Sequence, residues 1–557
     1  MPLKTILEAA IWLGVLAVAI LAPAAMEPVW AKFEEAFRRF ARRRILSCAA
    51  MALAVLAGRA ALLVVWDIPQ PVITDEFGYL LQADTFASGR MTNPTHAMAE
   101  FFETPYVLQK PTYNAKFPPG QGLALALGQA TFGHPWFGVW LSCGALAAAL
   151  CWALQGWFEP EWALMGTILA LPFCTLTYCM NSYWGGAVAA TGGALVFGAL
   201  ARTRENKVYA GAVFALGATI LILTRPFEGA VVLIPATFAL LLQKRSLRHW
   251  IPLLATAAAG MLFLGQYNAS VTGNALRLPY VEYESQYPMT SHFTFLAPPS
   301  QGSFARAGIT VVDHWERAAW QHSREPGFYF QRLLELVRRA ATFLGSAWVL
   351  LPVIALAGRW RKDGEYGAVC WAVGLTIAVA FVELVFFIHY AAPVMAALLI
   401  LTVAGYRRLR EWTLPGGRPA GRWLTRAIPV AALAIATLEP AAKLARGASM
   451  DHPGAGGRAL LEQLLDFEVG QQVIFVRHKY PSSLEPRWQD YPSMEVAPSV
   501  VEFVQNGADI DGQRIVWAHD LGDEANRRLR TYYKDRKYWL YDPAENPGGL
   551  TRIREEP

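Results

Sequence analysis

Charge is scarce in this sequence. Of its 557 residues only 17% are Asp, Glu, Lys or Arg, against 54% hydrophobic, and the mean hydropathy is positive. That balance excludes a soluble core as the destination of so much apolar side chain. Cysteine is scarce as well. The six cysteines (Cys48, Cys143, Cys151, Cys174, Cys179 and Cys370) all fall inside apolar segments, which excludes a disulfide framework in an exported loop and leaves them as packing groups. The net charge of +6 is gathered into short Lys/Arg clusters with no extended basic face, which excludes nucleic acid as a partner. No glycine-rich phosphate loop is present, so no nucleotide site is implied. His96, His134, His292 and His314 lack ligand-like spacing, and whether a divalent metal is needed stays open. No internal repeat stands out.

What the chain does have is a series of apolar segments of about 16–23 residues, the length a helix needs to span a bilayer. Residues 6–26 read as a retained first span, because the segment has one lysine before it and no cleavage site after it. The basic stretch Lys32 to Arg44 belongs in the cytoplasm by the positive-inside rule, so a second span at 45–66 runs outward. Segment 120–133 is short and carries Gln121 and Gln129 on one helical face. Counting it as a span would put the basic loops 202–207 and 244–248 outside, so we read it as a surface or re-entrant helix. The remaining spans are then about 135–157, 161–180, 187–201, 208–224, 229–243, 250–267, 338–358, 367–389, 391–406 and 426–440. The total is about twelve, with both termini outside. From residue 441 the composition changes: short apolar runs at 472–476, 514–518 and 537–541, with helical spacing at 500–505 and 524–533, predict a small α/β unit with a parallel sheet.

This arrangement puts most polar groups of chemical interest on one side of the membrane, in loops 67–134, 181–186, 224–229 and 268–337 and at 389–390. Asp75 and Glu76 follow the second span directly, with Tyr79 one turn on; a partly desolvated carboxylate beside a hydroxyl can act as general base. Lys116, before Pro118-Pro119, offers a cation for a phosphate, as does the forked donor set of Arg225. Glu228 lies at i+3 from Arg225, a spacing that also suits a plain ion pair. Glu383 interrupts an apolar span, where an acid costs about 2.5–3.5 kcal/mol. Tyr390 falls seven residues later on the same helical face, and His389 beside it can hydrogen-bond phosphate or acceptor. Trp184, Arg277, Tyr280 and Glu282 are candidate sugar or acceptor contacts, since aromatic and hydroxyl groups stack on and hydrogen-bond sugars.

Taken together, Asp75-Glu76-x-x-Tyr79, Lys116-x-Pro118-Pro119 opening a helix that ends in Phe132-Gly133, Thr224-Arg225-Pro226-x-Glu228-Gly229 and His389-Tyr390-x-x-Pro393 resemble the GT-C superfamily of glycosyltransferases that use polyprenyl-phosphate sugars. The likeness is greatest to the branch of protein O-mannosyltransferases, lipid A aminoarabinose transferases and galacturonosyltransferase-like proteins, and covers about residues 45–410. The resemblance implies Asp75 as catalytic base and Lys116, Arg225 and Tyr390 as ligands of the carrier phosphate. It also implies a polyprenyl-phosphate-linked sugar as donor substrate, with no certain cofactor. Two departures are visible. Many relatives have an aspartate in the next outer loop, where this chain has Asn181 to Gly186, and Phe117 stands between Lys116 and the prolines.

The expected fold class is an α-helical polytopic membrane protein of GT-C type with a small C-terminal α/β extracytoplasmic domain. Residues 1–440 form the transmembrane part and 441–557 the α/β domain. The expected activity is transfer of a sugar to an extracytoplasmic glycan, lipid or protein hydroxyl, by inversion. The expected location is a bacterial inner membrane, among membrane lipid, with the site on the periplasmic face. A transporter or lipid flippase, which would carry charges at the midplane of paired repeats, and a non-catalytic membrane scaffold are the rival readings.

Overall fold

The computed structural model describes residues 3–243, 247–288, 292–299, 307–343, 347–356, 366–446, 457–477, 503–543 and 545–553. It is predominantly helical. Six described helices are long and apolar enough to cross a membrane: Arg44–Leu62, Trp136–Leu154, Gly186–Arg204, Trp250–Thr272, Ile388–Arg410 and Ala420–Ala445. Five shorter apolar helices accompany them: Ile6–Leu21, Pro160–Leu176, Tyr209–Thr224, Pro226–Leu241 and Gly367–Val382. One continuous core of small and aromatic side chains runs through the bundle.

Proline sets several helix starts. Pro119, Pro160, Pro226 and Pro279 each occupy a first-turn position, where the missing N–H is no loss. Pro226 also acts backward. A residue before proline is kept out of the helical region, and Arg225, with φ −139° and ψ 75°, breaks the chain between Tyr209–Thr224 and Pro226–Leu241.

The expected span 338–358 is not one helix. Phe328–Phe343 is helical, residues 344–346 lie outside the described residues, and Ala347–Leu356, which contains Pro352, is a 3₁₀ stretch. The segment 120–133 is the helix Pro119–Phe132, and it packs on Thr74–Ala87, Trp136–Leu154 and Tyr209–Thr224. Its two glutamines turn toward protein rather than a membrane surface: Gln121 donates to the Tyr183 carbonyl at 2.9 Å and Gln129 to Asp84 at 3.3 Å. Gly120 makes the approach to Tyr209–Thr224 feasible, since a Cβ there would lie 2.5 Å from Thr224 Cγ2 and 2.7 Å from the Leu223 carbonyl oxygen.

In the C-terminal part, strands Gln472–Val476, Ile515–His519 and Lys537–Tyr541 are parallel, with Gln472–Val476 in the middle. Thr551–Arg552 adds an antiparallel edge that the sequence pattern did not show. Helix Asp523–Tyr532 matches the expected 524–533, whereas 503–505 are not helical and 500–502 lie outside the described residues. One face of the sheet packs through Val473, Phe475 and Val516 on Leu81, Phe101 and Tyr113 of the first loop. Polar contacts reinforce this seam: Ala508 N–H donates to Asp84 at 2.6 Å, and the Tyr113 hydroxyl donates to the Asn506 carbonyl at 3.0 Å.

Candidate functional site

A cavity of about 590 Å³ opens where the 67–134 loop, the Arg225 turn, helix Pro279–Gln286 and the 383–390 segment meet. Asp75, Tyr79, Lys116, Trp184, Arg225, Glu228, Tyr280, Glu383 and Tyr390 all line it. These residues come from five separate stretches of chain, so the fold brings them together where local sequence does not.

Asp75 is held in the first turn of helix Thr74–Ala87, and among the described residues its carboxylate makes no hydrogen bond. Burial pushes its pKa above the ordinary carboxylate range, while the charges of Lys116 and Arg225 oppose that rise. Glu76, adjacent in sequence, faces away from the cavity. Its carboxylate accepts from the backbone N–H groups of Val72 at 2.8 Å, Ile73 at 3.1 Å and Tyr183 at 2.9 Å. The third position of a helix is where a glutamate can reach back to orphan N–H groups, so the expected catalytic pair divides into one cavity acid and one structural cap.

Lys116 sits in an aromatic box. Its ammonium lies 3.7 Å from the centroid of Tyr106, 4.4 Å from Tyr280 and 5.0 Å from Tyr283. Ring faces attract a cation without neutralising it, so the charge stays available to an anion. Burial lowers the Lys116 pKa, and nearby carboxylates, Glu316 first and then Asp75, resist that lowering. Phe117, between Lys116 and the prolines, stacks on Tyr79 with centroids 4.5 Å apart, and Lys116 still lines the cavity.

Arg225 stands at the break between its two helices, 3.4 Å from Glu228 and with its guanidinium carbon 4.6 Å from the Tyr390 ring centroid. Helix Gly367–Val382 stops just before Glu383, whose backbone is extended, and Tyr390 belongs to the 3₁₀ turn Ile388–Val394. The expectation that Glu383 and Tyr390 share one helical face is therefore wrong in its geometry, although both line the cavity. The Glu383 carboxylate oxygen Oε2 is buried with no partner among the described residues.

Besides Glu76, three candidates lie elsewhere. His389 is buried behind Trp184, with ring centroids 4.5 Å apart, and does not line the cavity. Arg277 and Glu282 pair with each other at 2.8 Å away from it. The cavity also has walls that the sequence reading did not select: Tyr106, Glu284, His292, Trp315 and Glu316. Only Tyr106 leaves a local trace, a positive φ of 66° held by donation of its N–H to the Tyr283 hydroxyl at 2.9 Å. Among the described residues no group of three or more His, Cys, Asp or Glu is placed to hold a metal ion.

The fold resembles that of a solved structure, ArnT from Cupriavidus metallidurans bound to undecaprenyl phosphate. The two are 15% identical, with a TM-score of 0.50 over 90% of this chain and 93% of that one. This chain has the GT-C fold. Lower scores come from the Archaeoglobus fulgidus oligosaccharyltransferase tethered with an acceptor peptide (10% identity, 90% of this chain and 68% of that one, TM-score 0.46) and from the arabinofuranosyltransferase AftD from Mycobacteria (16%, 78% and 29%, TM-score 0.36). No family model matches the chain, and no curated protein sequence matches it. Within the GT-C fold, the cavity collects an acid with no hydrogen-bond partner among the described residues, a buried lysine and a largely buried arginine, a set suited to an anionic leaving group and a hydroxyl nucleophile.

Proposed function

We propose that the protein is an integral membrane glycosyltransferase that moves a sugar from a polyprenyl-phosphate carrier to an acceptor hydroxyl, with Asp75 as base. The observation that carries this reading is that Asp75, Lys116 and Arg225 line one cavity and their charges act on one another. The acceptor oxygen attacks the anomeric carbon, the bond from that carbon to the phosphate oxygen breaks, and Asp75 takes the hydroxyl proton. Polyprenyl phosphate leaves with the bonding electrons, and one direct displacement inverts the sugar carbon.

The cations do the electrostatic work. Lys116 and Arg225 are fixed before substrate arrives, so the charge growing on the leaving phosphate meets donors that need no reorganisation. Glu228 holds the Arg225 guanidinium, and Tyr390 beneath it offers a hydroxyl to the same phosphate. Trp184 and Tyr280 supply aromatic faces for the sugar or acceptor. Glu383 reads sugar hydroxyls in this scheme, because a carboxylate facing a phosphate would repel it. The site faces the periplasm of a bacterial inner membrane, and the sheet of Gln472–Val476, Ile515–His519 and Lys537–Tyr541 belongs to a C-terminal α/β domain resting on the first loop.

The test is mass spectrometry of envelope lipids and glycans from cells with and without the gene. A sugar mass lost with the gene and restored with it supports the reading and names donor and acceptor together. Identical profiles would reject it.

A further inference from the structure

We infer that helix Phe328–Phe343 lies in the plane of the membrane interface, with lipid on one face, and that its opposite face clamps the wall of the cavity. At about 100° per residue the exposed side chains of this helix sort into arcs. Tyr329, Phe330, Leu333, Leu334 and Val337 are all exposed and fill one continuous apolar arc. The exposed polar side chains Gln331 and Arg338 fall together on the next arc, and the remaining side is turned to the protein. A soluble surface helix would not expose its apolar face while directing arginines inward; a helix lying in the interface does.

The inward side has a specific task. Arg332, buried, donates to the carbonyls of Glu383 at 3.2 Å and Leu384 at 2.7 Å, and Arg339 donates to the carbonyl of Phe386. Glu383, Leu384, Val385 and Phe387 all line the cavity. This stretch has left helix Gly367–Val382, so its carbonyls lack helical partners, and the two arginines supply donors.

Lipid is the occupant because the apolar arc continues into a lipid-facing surface. The chain runs on to Ala347–Leu356, where Leu351 and Ile354 are exposed, and the helix packs beside Gly367–Val382, where Trp371 and Ile377 are exposed. The inference does not depend on the reaction proposed above.

Nitroxide labels on single cysteines at Phe330, Leu334 and Gln331 test it, in full-length protein whose six native cysteines are replaced, in dioleoylphosphatidylcholine nanodiscs. At Phe330 and Leu334 the collision rate with oxygen relative to a water-soluble nickel chelate should exceed that at Gln331 by about threefold or more, as expected for an interfacial apolar face. Equal nickel access at all three positions would overturn the inference. Exclusion of both reagents at Phe330 and Leu334 would overturn it too, because protein rather than lipid would then cover the arc. All three positions are exposed, so the substitutions leave the packed core intact, and thermal unfolding of each labelled protein checks that.

Discussion

The Arg225 guanidinium lies over the ring of Tyr390, 4.6 Å from its centroid, and so joins the turn between two mid-chain helices to a 3₁₀ turn near the end of the bundle. Asp75 and Lys116, from the first loop, line the same cavity. The account of function depends on this convergence.

Asp75→Asn removes the proposed proton acceptor and leaves the proposed phosphate ligands in place. Turnover with a polyprenyl-phosphate sugar is expected to fall by about 10²–10⁴, the usual contribution of a positioned base. Carrier binding should persist. Single-turnover kinetics on purified protein separates the two.

The same groups fix the pH profile. The proposed reaction needs Asp75 ionised and Lys116 protonated; burial raises the first pKa and lowers the second, so the active window narrows from both ends. The acid limb of kcat/KM should lie above the value of about 3.9 for a free aspartate, and the alkaline limb below about 10.4 for a free lysine. Lys116→Arg should move only the alkaline limb, upward. A profile of kcat/KM against pH for both proteins checks this.

Glu76 predicts the contrary behaviour to its neighbour. Glu76→Gln keeps one accepting oxygen and turns an NH2 toward the donors on the other side, so one or two of the three backbone N–H groups lose their partner at about 1–3 kcal/mol each. A lower unfolding midpoint is expected, with carrier binding per folded molecule unchanged. Loss of turnover in protein that stays fully folded would restore Glu76 to the chemistry.

Arg59 ties the base of the first loop to the second. Its guanidinium donates to Asn181 Oδ1 at 3.0 Å and to the carbonyls of Trp66 at 2.9 Å and Asp67 at 2.8 Å. Arg59→Leu should cost about 1–3 kcal/mol for each buried acceptor left unpaired, read as a fall in the unfolding midpoint. Asn181 is occupied by this task and does not line the cavity, so Asn181→Asp should leave turnover unchanged.

These cases show how far the sequence could be read. Lys116 and Arg225 were legible because cations beside prolines in an apolar chain are conspicuous, and proline does fix where Arg225 breaks its helix. The division of Asp75 from Glu76 was not legible, since which of two adjacent acids meets the backbone depends on Tyr183, from the next loop. Glu383 and Tyr390 were read as sharing a helical face that does not exist; the helix ends just before Glu383, and tertiary packing returns both to the cavity. Trp315 and Glu316 had no local signal, because their place in the wall is set by how helix Ala307–His322 folds back over the site. The C-terminal sheet was readable from apolar runs of strand length, whereas its two-residue edge strand was too short to leave a pattern.

The most direct measurement is titration of undecaprenyl phosphate against wild-type protein and the variants Lys116→Ala, Arg225→Ala and Asp75→Asn in lipid nanodiscs. In the proposed scheme each cation gives charge-assisted hydrogen bonds to the phosphate, so Lys116→Ala and Arg225→Ala should each weaken binding by about tenfold or more, and Asp75→Asn should bind as tightly as wild type or more tightly. Equal affinities for all four proteins, or no binding by wild type, would contradict a shared phosphate site in this cavity.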